Sequence, residues 1–277
     1  MLTLTDTDFN RLASYIKVNY GIDLSRKKKL IVSRLTNTLS AQGYTGFAQY
    51  VDEITSGCKE NMVTGMLDKL TTNYTYFLRE EAHFKYLNET VLPALAKAHE
   101  RDKVLSIWSA GCSSGEEPYT ISMYVKEFFG ALAAAWDTRI LATDISRQIL
   151  STAANPVYPA EHLKHLPATW KQKYFVPQKE GTYTIAPVIK QNVIFQTFNL
   201  MDPIHFKRPF DLIFCRNVMI YFDQPTKNAL VQRFYNVTVP GGHLFIGHSE
   251  SLNKAECPYQ YLMPAIYRKP GLPARTL

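Results

Sequence analysis

The chain has 277 residues, of which 46% are hydrophobic and 20% are charged. This composition is typical of a folded globular protein and excludes an intrinsically disordered chain. The sequence has no run approaching the ~18 apolar residues of a membrane span and no apolar leader segment, so we expect a cytoplasmic protein without membrane insertion. The net charge of +7 favours an acidic partner, and charge alone leaves nucleic acid, an anionic membrane and a carboxylate-rich protein open.

The first 85 or so residues predict a small all-helical domain. Apolar side chains recur at helical spacing from Thr5 to Tyr20, with Thr5 or Asp6 as the cap, and again from Ser25 to Leu39. Shorter helices are predicted over residues 47–54 and 61–70. The outer face of the second helix carries the basic side chains Arg26, Lys27, Lys28, Lys29 and Arg34. Such a face is either simply solvated or a docking surface.

From Val104 onward, predicted strands alternate with predicted helices. The strands are expected at residues 104–108, 139–143, 193–198, 210–214, 244–246 and 265–268, and the helices at residues 116–129, 146–154 and 225–237. A further helix, predicted at residues 82–98, leads into this region. This alternation predicts an α/β fold with a largely parallel sheet covered on both faces. The alternation breaks between residues 171 and 191, where two short segments around Lys179-Glu-Gly181 predict a small β insertion.

The strongest single motif is the turn from Gly111 to Gly115 that follows the first predicted strand. Its Gly-x-x-x-Gly spacing differs from the Gly-x-Gly-x-x-Gly fingerprint of dinucleotide sites. Glu116 and Glu117 open the next helix, where they would repel a phosphate but would suit a cationic ligand. The turn therefore favours S-adenosylmethionine over NAD, although the glutamates could also be mere helix caps.

Polar residues at the ends of two other strands support an adenosyl cofactor. Asp144 ends the second strand, where a carboxylate can accept hydrogen bonds from both ribose hydroxyls. Asp144 could equally cap the next helix. Arg216 and Asn217 end the fourth strand, at the sheet edge where ligands bind. Tyr221 follows them and could reach the site or pack in the core. The Asp/Asn-Pro-Pro-aromatic segment of base-amino methyltransferases is absent, which argues against nucleobase methylation.

Neither the cysteines nor the histidines predict a metal site. The four cysteines are widely spaced without a Cys-x-x-Cys pair, and the seven histidines show no ligand-like clustering along the chain. We therefore expect no bound metal. The segment His248-Ser-Glu250 superficially offers hydrolase chemistry, but no Gly-x-Ser-x-Gly elbow supports it, so we interpret it as loop structure.

Together the motifs resemble the CheR family of bacterial chemotaxis receptor methyltransferases. The matching stretches are Tyr20–Leu24, Thr71–Glu80, Ser109–Tyr119, Ala142–Ile145, Phe214–Asp223 and Gly247–Leu252, in family order across nearly the whole chain. The resemblance implies a helical receptor-docking domain over residues 1–86. It also implies a Rossmann-like class I methyltransferase domain over residues 87–277, with a small β insertion at residues 171–191.

The resemblance also implies a reaction and its residues. The cofactor is S-adenosylmethionine, the product S-adenosylhomocysteine, and the acceptors are glutamate side chains in the cytoplasmic helical region of methyl-accepting chemotaxis receptors. The family's cofactor contacts map onto Asn73, Thr75, Arg79, Glu116, Asp144, Asn199, Leu200, Arg216 and Asn217, beside Gly111 of the turn. Arg79 and Tyr221 match the pair proposed to act at the reacting centre, and the basic helix becomes the docking surface.

Two departures from the family and two alternatives remain. Leu78 replaces the more usual phenylalanine, and the insertion lacks the Gly-rich loop of members that bind a receptor's tail peptide. We therefore expect a tail-independent enzyme, and a monomer. The alternatives are a methyltransferase of the same fold acting on RNA or a small acid, and a non-catalytic regulator that binds S-adenosylmethionine.

Overall fold

The computed structural model describes residues 2–57, 60–71 and 74–271, which form a helical domain followed by an α/β domain. The helices are α1 (Asp6–Tyr20), α2 (Lys28–Ala41), α3 (Phe47–Thr55), α4 (Glu60–Leu70), α5 (Glu81–Tyr86), α6 (Leu92–Ala98), α7 (Glu116–Phe129), α8 (Arg147–Ala154), α9 (Ala168–Tyr174), α10 (Pro187–Lys190) and α11 (Gln224–Val237). A π-helical turn over Leu87–Val91 joins α5 to α6, so the single helix predicted there is interrupted. Within the described ranges given above, no helix combines the length and the apolar character needed to cross a membrane.

Helices α1 to α4 pack around their own hydrophobic core, as the helical spacing predicts. Leu12, Ile16, Ile31 and Phe47 are completely buried in it. The Thr5 hydroxyl caps α1 by accepting a hydrogen bond from the Asp8 amide at 3.1 Å, which settles the choice of cap. These four helices therefore form a unit with its own apolar interior.

The second helix begins at Lys28 and not at Ser25. The Asp23 carboxylate accepts a hydrogen bond from the Ser25 amide at 2.9 Å, and the Leu24 carbonyl accepts one from the Lys27 amide at 2.8 Å. These bonds form a turn ahead of the helix. Positive charge is also unfavourable at a helix N-terminus, so two of the predicted basic residues lie before the helix and not along it.

Five parallel strands and two further strands make up the main sheet. The strands of the chain are β1 (Ile107–Ala110), β2 (Ile140–Asp144), β3 (Val157–Pro159), β4 (Phe175–Pro177), β5 (Thr182–Ile185), β6 (Val193–Thr197), β7 (Phe210–Cys215), β8 (Thr238–Ile246), β9 (Gln260–Met263) and β10 (Ile266–Arg268). The main sheet has the order β6-β2-β1-β7-β8-β10-β9, and β10 is antiparallel to both its neighbours. The strand order reverses between β1 and β7, which is where open α/β sheets bind ligands.

Helices cover both faces of this sheet, because alternate side chains of each strand point to opposite faces. Ile107 and Phe214 pack into one apolar layer, and Trp108 and Ile213 pack into the other. All four are essentially inaccessible to solvent. The α/β class predicted from the alternation and the Rossmann-like arrangement implied by the resemblance are thus confirmed.

The β insertion is larger than the predicted span of residues 171–191. It is a three-stranded antiparallel sheet of order β3-β5-β4, and β3 lies before the predicted start. Tyr158 of β3 pairs with Tyr183 of β5. A strand of three residues shows no readable alternation along the chain, so only its pairing with β5 identifies it. The short β9, which was also not predicted, is identified by its pairing with β10.

The helical domain contacts the sheet domain through the residues that follow α1. Ile22 forms an isolated bridge with Phe222, and the Asp23 amide donates to the Tyr221 carbonyl at 2.9 Å. Lys17 pairs with Asp223 at 2.7 Å, and this ion pair lowers the pKa of Asp223 to about 2. These contacts hold the end of α1 against the loop that follows β7.

Candidate active site

A cavity of about 510 Å³ lies where β1, β2, β6 and β7 end, at the switch point of the sheet. That volume falls within the range of small-molecule sites. The predicted site residues that line it are Thr75, Arg79, Gly111, Asp144, Asn199, Leu200, Arg216, Asn217 and Tyr221. Asn73 lies outside the residues that the structure describes. Side chains far apart in the chain thus converge on one cavity.

The floor of the cavity is the turn after β1, and it has no room for a side chain at its first glycine. Gly111 has φ +80°, and an added Cβ would lie 2.4 Å from Cγ2 of Val218. Gly115 has φ +95° and closes the turn at the start of α7. Both positions therefore require glycine, and the bare backbone at Gly111 borders the cavity.

Asp144 ends β2 with its carboxylate held by two backbone amides. Oδ2 accepts from the Ser113 amide at 2.9 Å, and Oδ1 accepts from the Ser146 amide at 3.0 Å. Burial raises the pKa of Asp144 despite these bonds. Each carboxylate oxygen has two lone pairs, so the group can still accept hydrogen bonds from a ligand in the cavity.

The two glutamates at the start of α7 point in different directions, which corrects the prediction for Glu116. The Glu116 side chain is fully buried beneath the turn, where it binds the Ser114 hydroxyl at 2.6 Å and the His162 ring at 2.9 Å. Glu117 is the glutamate that lines the cavity. Successive residues of a helix are about 100° apart around its axis, so only one of the pair can face the ligand.

Arg216 lies between two carboxylates at the end of β7. Its guanidinium contacts Glu80 Oε2 and Glu117 Oε2, each at 3.1 Å, and it also donates to the Arg79 carbonyl. Only 2% of the Arg216 side chain is exposed. Burial raises the pKa of Glu117, against the opposing effect of Arg216. Burial also acts to raise the pKa of Glu80, but Arg216 and the hydrogen bonds from His248 and Asn217 outweigh it and lower that pKa.

Asn217 and the turn after it are fixed by the buried carboxylate of Glu250. Glu250 accepts from the Asn217 amide at 2.9 Å and from the Ile220 amide at 3.1 Å. Asn217 has φ +59°, a left-handed conformation that is costly outside glycine. The predicted loop at residues 248–250 therefore has a defined task, which is to hold the segment that carries Tyr221.

Arg79 and Tyr221 approach the cavity from distant parts of the chain. Arg79 lies between Leu78 (φ +61°) and Glu80 (φ +60°), and its guanidinium donates to the Tyr74 carbonyl at 2.6 Å. Tyr221 ends the 3-10 turn held by Glu250. Both side chains border the cavity.

The comparisons with known proteins agree with this geometry. Residues 73–265 match the model described as "CheR methyltransferase, SAM binding domain", and residues 7–71 match "CheR methyltransferase, all-alpha domain". The chain belongs to the CheR methyltransferase family. Its larger domain is thus an S-adenosylmethionine-binding methyltransferase domain.

Curated relatives cover nearly the whole chain. A chemotaxis protein methyltransferase of Borreliella burgdorferi is 39% identical over 272 residues, which are 97% of this chain and 96% of that protein. Chemotaxis protein methyltransferase 2 of Vibrio cholerae is 35% identical, over 91% of this chain and 88% of the relative. The chemotaxis protein methyltransferase of Escherichia coli is 35% identical, over 92% and 88%.

In this CheR-family chain the helical domain also supplies part of the cavity wall. Tyr20, Leu67 and Asp68 line the cavity from α1 and α4. The Asp68 carboxylate accepts a hydrogen bond from the Ser146 hydroxyl at 2.8 Å, close to Asp144. Asp68 and Glu80 were not predicted, because neither spacing nor strand ends single them out, and Glu117 was noted only as a helix-opening glutamate beside Glu116.

The basic residues predicted for docking fall into two groups. Lys28 pairs with Asp6 at 2.6 Å, and Arg34 donates to the Lys69 carbonyl at 3.0 Å. Arg26, Lys27 and Lys29 have exposed side chains. Part of the predicted surface is therefore engaged within the helical domain.

Proposed function

We propose that this protein transfers the methyl group of S-adenosylmethionine to glutamate side chains of chemotaxis receptors, forming glutamate methyl esters. The observation that carries the proposal is the convergence of Arg79, Tyr221 and Asp144 on one cavity in a CheR-family chain. The names of its relatives, which are chemotaxis protein methyltransferases, support the same reaction class.

The cavity residues fit S-adenosylmethionine, which carries hydroxyl groups, an ammonium group, a carboxylate and a cationic sulfur. Asp144 is placed to accept from ribose hydroxyls at the end of β2. Glu117 offers a carboxylate to a cation, and Arg79 and Arg216 offer guanidinium groups to a carboxylate. Asn199 and Leu200 border the cavity where β6 ends. We assign them to the adenosine part of the cofactor. Thr75 and Asn217 extend this set, and we include Asn73 from the resemblance alone.

The transfer itself asks for positioning more than for acid–base chemistry. When bound, the cofactor supplies a methyl group on a cationic sulfur, a good leaving group. A glutamate carboxylate is already ionised near neutral pH, so the protein needs no general base. Arg79 orients the acceptor carboxylate or the cofactor, and Tyr221 positions one of them through its hydroxyl. Holding the reacting atoms in line supplies most of the rate gain.

The helical domain, residues 1–86, is proposed to dock on the acidic helices of the receptor cytoplasmic region. Arg26, Lys27 and Lys29 are exposed and suit such a surface. We further propose that the protein acts as a monomer and needs no receptor tail peptide. Association steered by charge weakens as salt rises, because counterions screen both surfaces.

The proposal is tested with the full chain, labelled S-adenosylmethionine and receptor cytoplasmic domains. Label should appear in the receptor and be released by mild base as methanol, because methyl esters hydrolyse under conditions that leave N-methyl groups intact. A receptor whose acceptor glutamates are replaced by alanine should take up none. Base-stable label, or label in RNA or a small acid but not in the receptor, would overturn the assignment.

A further inference from the structure

Three side chains that could hold a metal ion meet beside the cavity without lining it. Glu80, His83 and His248 each offer one ligand atom, and these atoms lie within 4.8 Å of one another. Glu80 precedes α5, His83 lies in that helix, and His248 follows β8. The His83 and His248 rings pack edge to face with their centroids 4.6 Å apart.

His83 gives an independent reason to expect a ligand here. Only 1% of its side chain is exposed, and neither ring nitrogen has a hydrogen-bond partner within the described part of the chain. Glu80 Oε2 lies 3.5 Å from its Nδ1. A buried polar atom without a partner is costly and calls for an explanation. A metal ion bound to a ring nitrogen would supply one.

We propose that Glu80, His83 and His248 bind Zn²⁺. Two imidazoles and one carboxylate are a ligand set that zinc uses when its fourth position stays open to water. Ligand atoms of a tetrahedral zinc lie about 3.4 Å apart for bonds of ~2.1 Å. Separations of up to 4.8 Å must therefore shrink by at most about 1.4 Å, for which the exposed His248 side chain can rotate.

Such a site is coupled to the cofactor cavity through the Glu80 carboxylate. The same group contacts Arg216 at 3.1 Å and the Asn217 amide side chain at 3.3 Å, and both residues line the cavity. A zinc ion that binds this carboxylate weakens the ion pair between Glu80 and Arg216. The position of Arg216 in the cavity wall then becomes less well fixed for the cofactor. Zinc and the cofactor product therefore oppose each other, and by linkage each lowers the affinity of the other by the same factor.

Calorimetric titration of the untagged, metal-stripped full chain with Zn²⁺ tests the proposal. The wild type should bind one ion per chain, and H248A should bind at least tenfold more weakly, because it removes the accessible ligand. H205A, which removes another exposed histidine, should bind like the wild type. Titration with S-adenosylhomocysteine should give a weaker affinity in the presence of Zn²⁺ for the wild type and for H205A but not for H248A.

A wild type that binds no zinc, or an H248A variant that binds it as tightly as the wild type, would overturn the site. Equal affinity for S-adenosylhomocysteine with and without bound zinc would overturn the coupling. H83Q provides a second check, after its fold has been compared with that of the wild type by circular dichroism. None of these readouts uses a methyl acceptor, so they stay independent of the proposed reaction.

Discussion

The two ends of the main sheet each hold a basic side chain between two carboxylates, and the cavity described above lies at the carboxyl end. At the carboxyl end, Arg216 lies between Glu80 and Glu117. At the amino end, His99 lies 2.8 Å from Asp211 and 3.0 Å from Asp102. Asp211 also accepts from the Ser106 amide at 2.8 Å, which ties the starts of β1 and β7 together.

The backbone distinguishes the two ends more clearly than the charges do. Of seven described non-glycine residues with positive φ, four lie at or beside the cavity, namely Leu78, Glu80, Ser113 and Asn217. Such conformations cost free energy and persist where surrounding contacts enforce them. Ion pairs alone therefore do not mark the functional end, whereas ion pairs combined with a strained backbone and a cavity do.

The largest effect should follow from removing the central cation of the cavity. Arg216→Met leaves two buried carboxylates without their partner, so the free energy of unfolding should fall by about 3–5 kcal/mol. Affinity for S-adenosylhomocysteine should fall with it, as measured by chemical denaturation and calorimetry. If the variant kept both stability and affinity, Arg216 would not organise the site.

Gly111→Ala should be nearly as costly, because it adds both strain and overlap. The positive φ costs about 1–2 kcal/mol, and the contact of 2.4 Å with Val218 adds a similar amount. Gly43→Ala is the matched control, since Gly43 has φ +82° and open space around it. In the double variant Gly111→Ala/Val218→Ala, the free energy of unfolding should recover the part lost to the overlap with Val218. The part lost to the strained backbone at residue 111 should remain. Equal losses for Gly43→Ala and Gly111→Ala would contradict the close packing of the turn.

Arg79→Ala should lower kcat/KM for receptor methylation about 100-fold, or ~2.7 kcal/mol, and Tyr221→Phe about tenfold, or ~1.4 kcal/mol. Both residues border the cavity, and phenylalanine keeps the Tyr221 ring that packs against the core. Tyr261→Phe removes a hydroxyl from an exposed tyrosine and should leave the rate unchanged. Losses below about threefold for both site variants, ~0.65 kcal/mol, would rule out the assigned roles.

At the amino end, the expected effect is a change in how stability depends on pH. Burial acts to lower the pKa of His99, but its hydrogen bonds to Asp211 and Asp102 outweigh burial and raise that pKa above 6.5. The stabilisation is therefore complete below the unfolded-state pKa and is lost as pH rises through the folded-state pKa. The difference in the free energy of unfolding between the wild type and His99→Gln should therefore shrink as the pH rises from about 5.5 to 9. Denaturant titrations at each pH measure this difference. A constant difference would mean that the pKa of His99 is the same in the folded and the unfolded protein.

The smallest effect is expected on the surface of the helical domain. Replacing Arg26, Lys27 and Lys29 together by alanine should raise KM for the receptor about threefold at low salt, ~0.65 kcal/mol, and little at high salt. Lys28→Ala is the control, because Lys28 already pairs with Asp6. The same increase at both salt concentrations would speak against charge steering.

Much of the architecture was determined by the sequence itself. Helices α1, α7 and α11 and strands β2, β6 and β7 lie within three residues of their predicted bounds, because strong apolar periodicity and identifiable caps are local properties. The cavity at the switch point was also predictable, because polar residues that end parallel strands must meet at one sheet edge.

The tertiary structure decided which side chains face that cavity. The choice between Glu116 and Glu117 depends on the rotation of α7 against the sheet, and β3 exists only by pairing with β5. His83 and His248 are separated along the chain by most of the sheet domain, yet their rings touch. Local sequence sets the propensity of each segment, whereas contacts between distant segments are fixed only when the whole core packs.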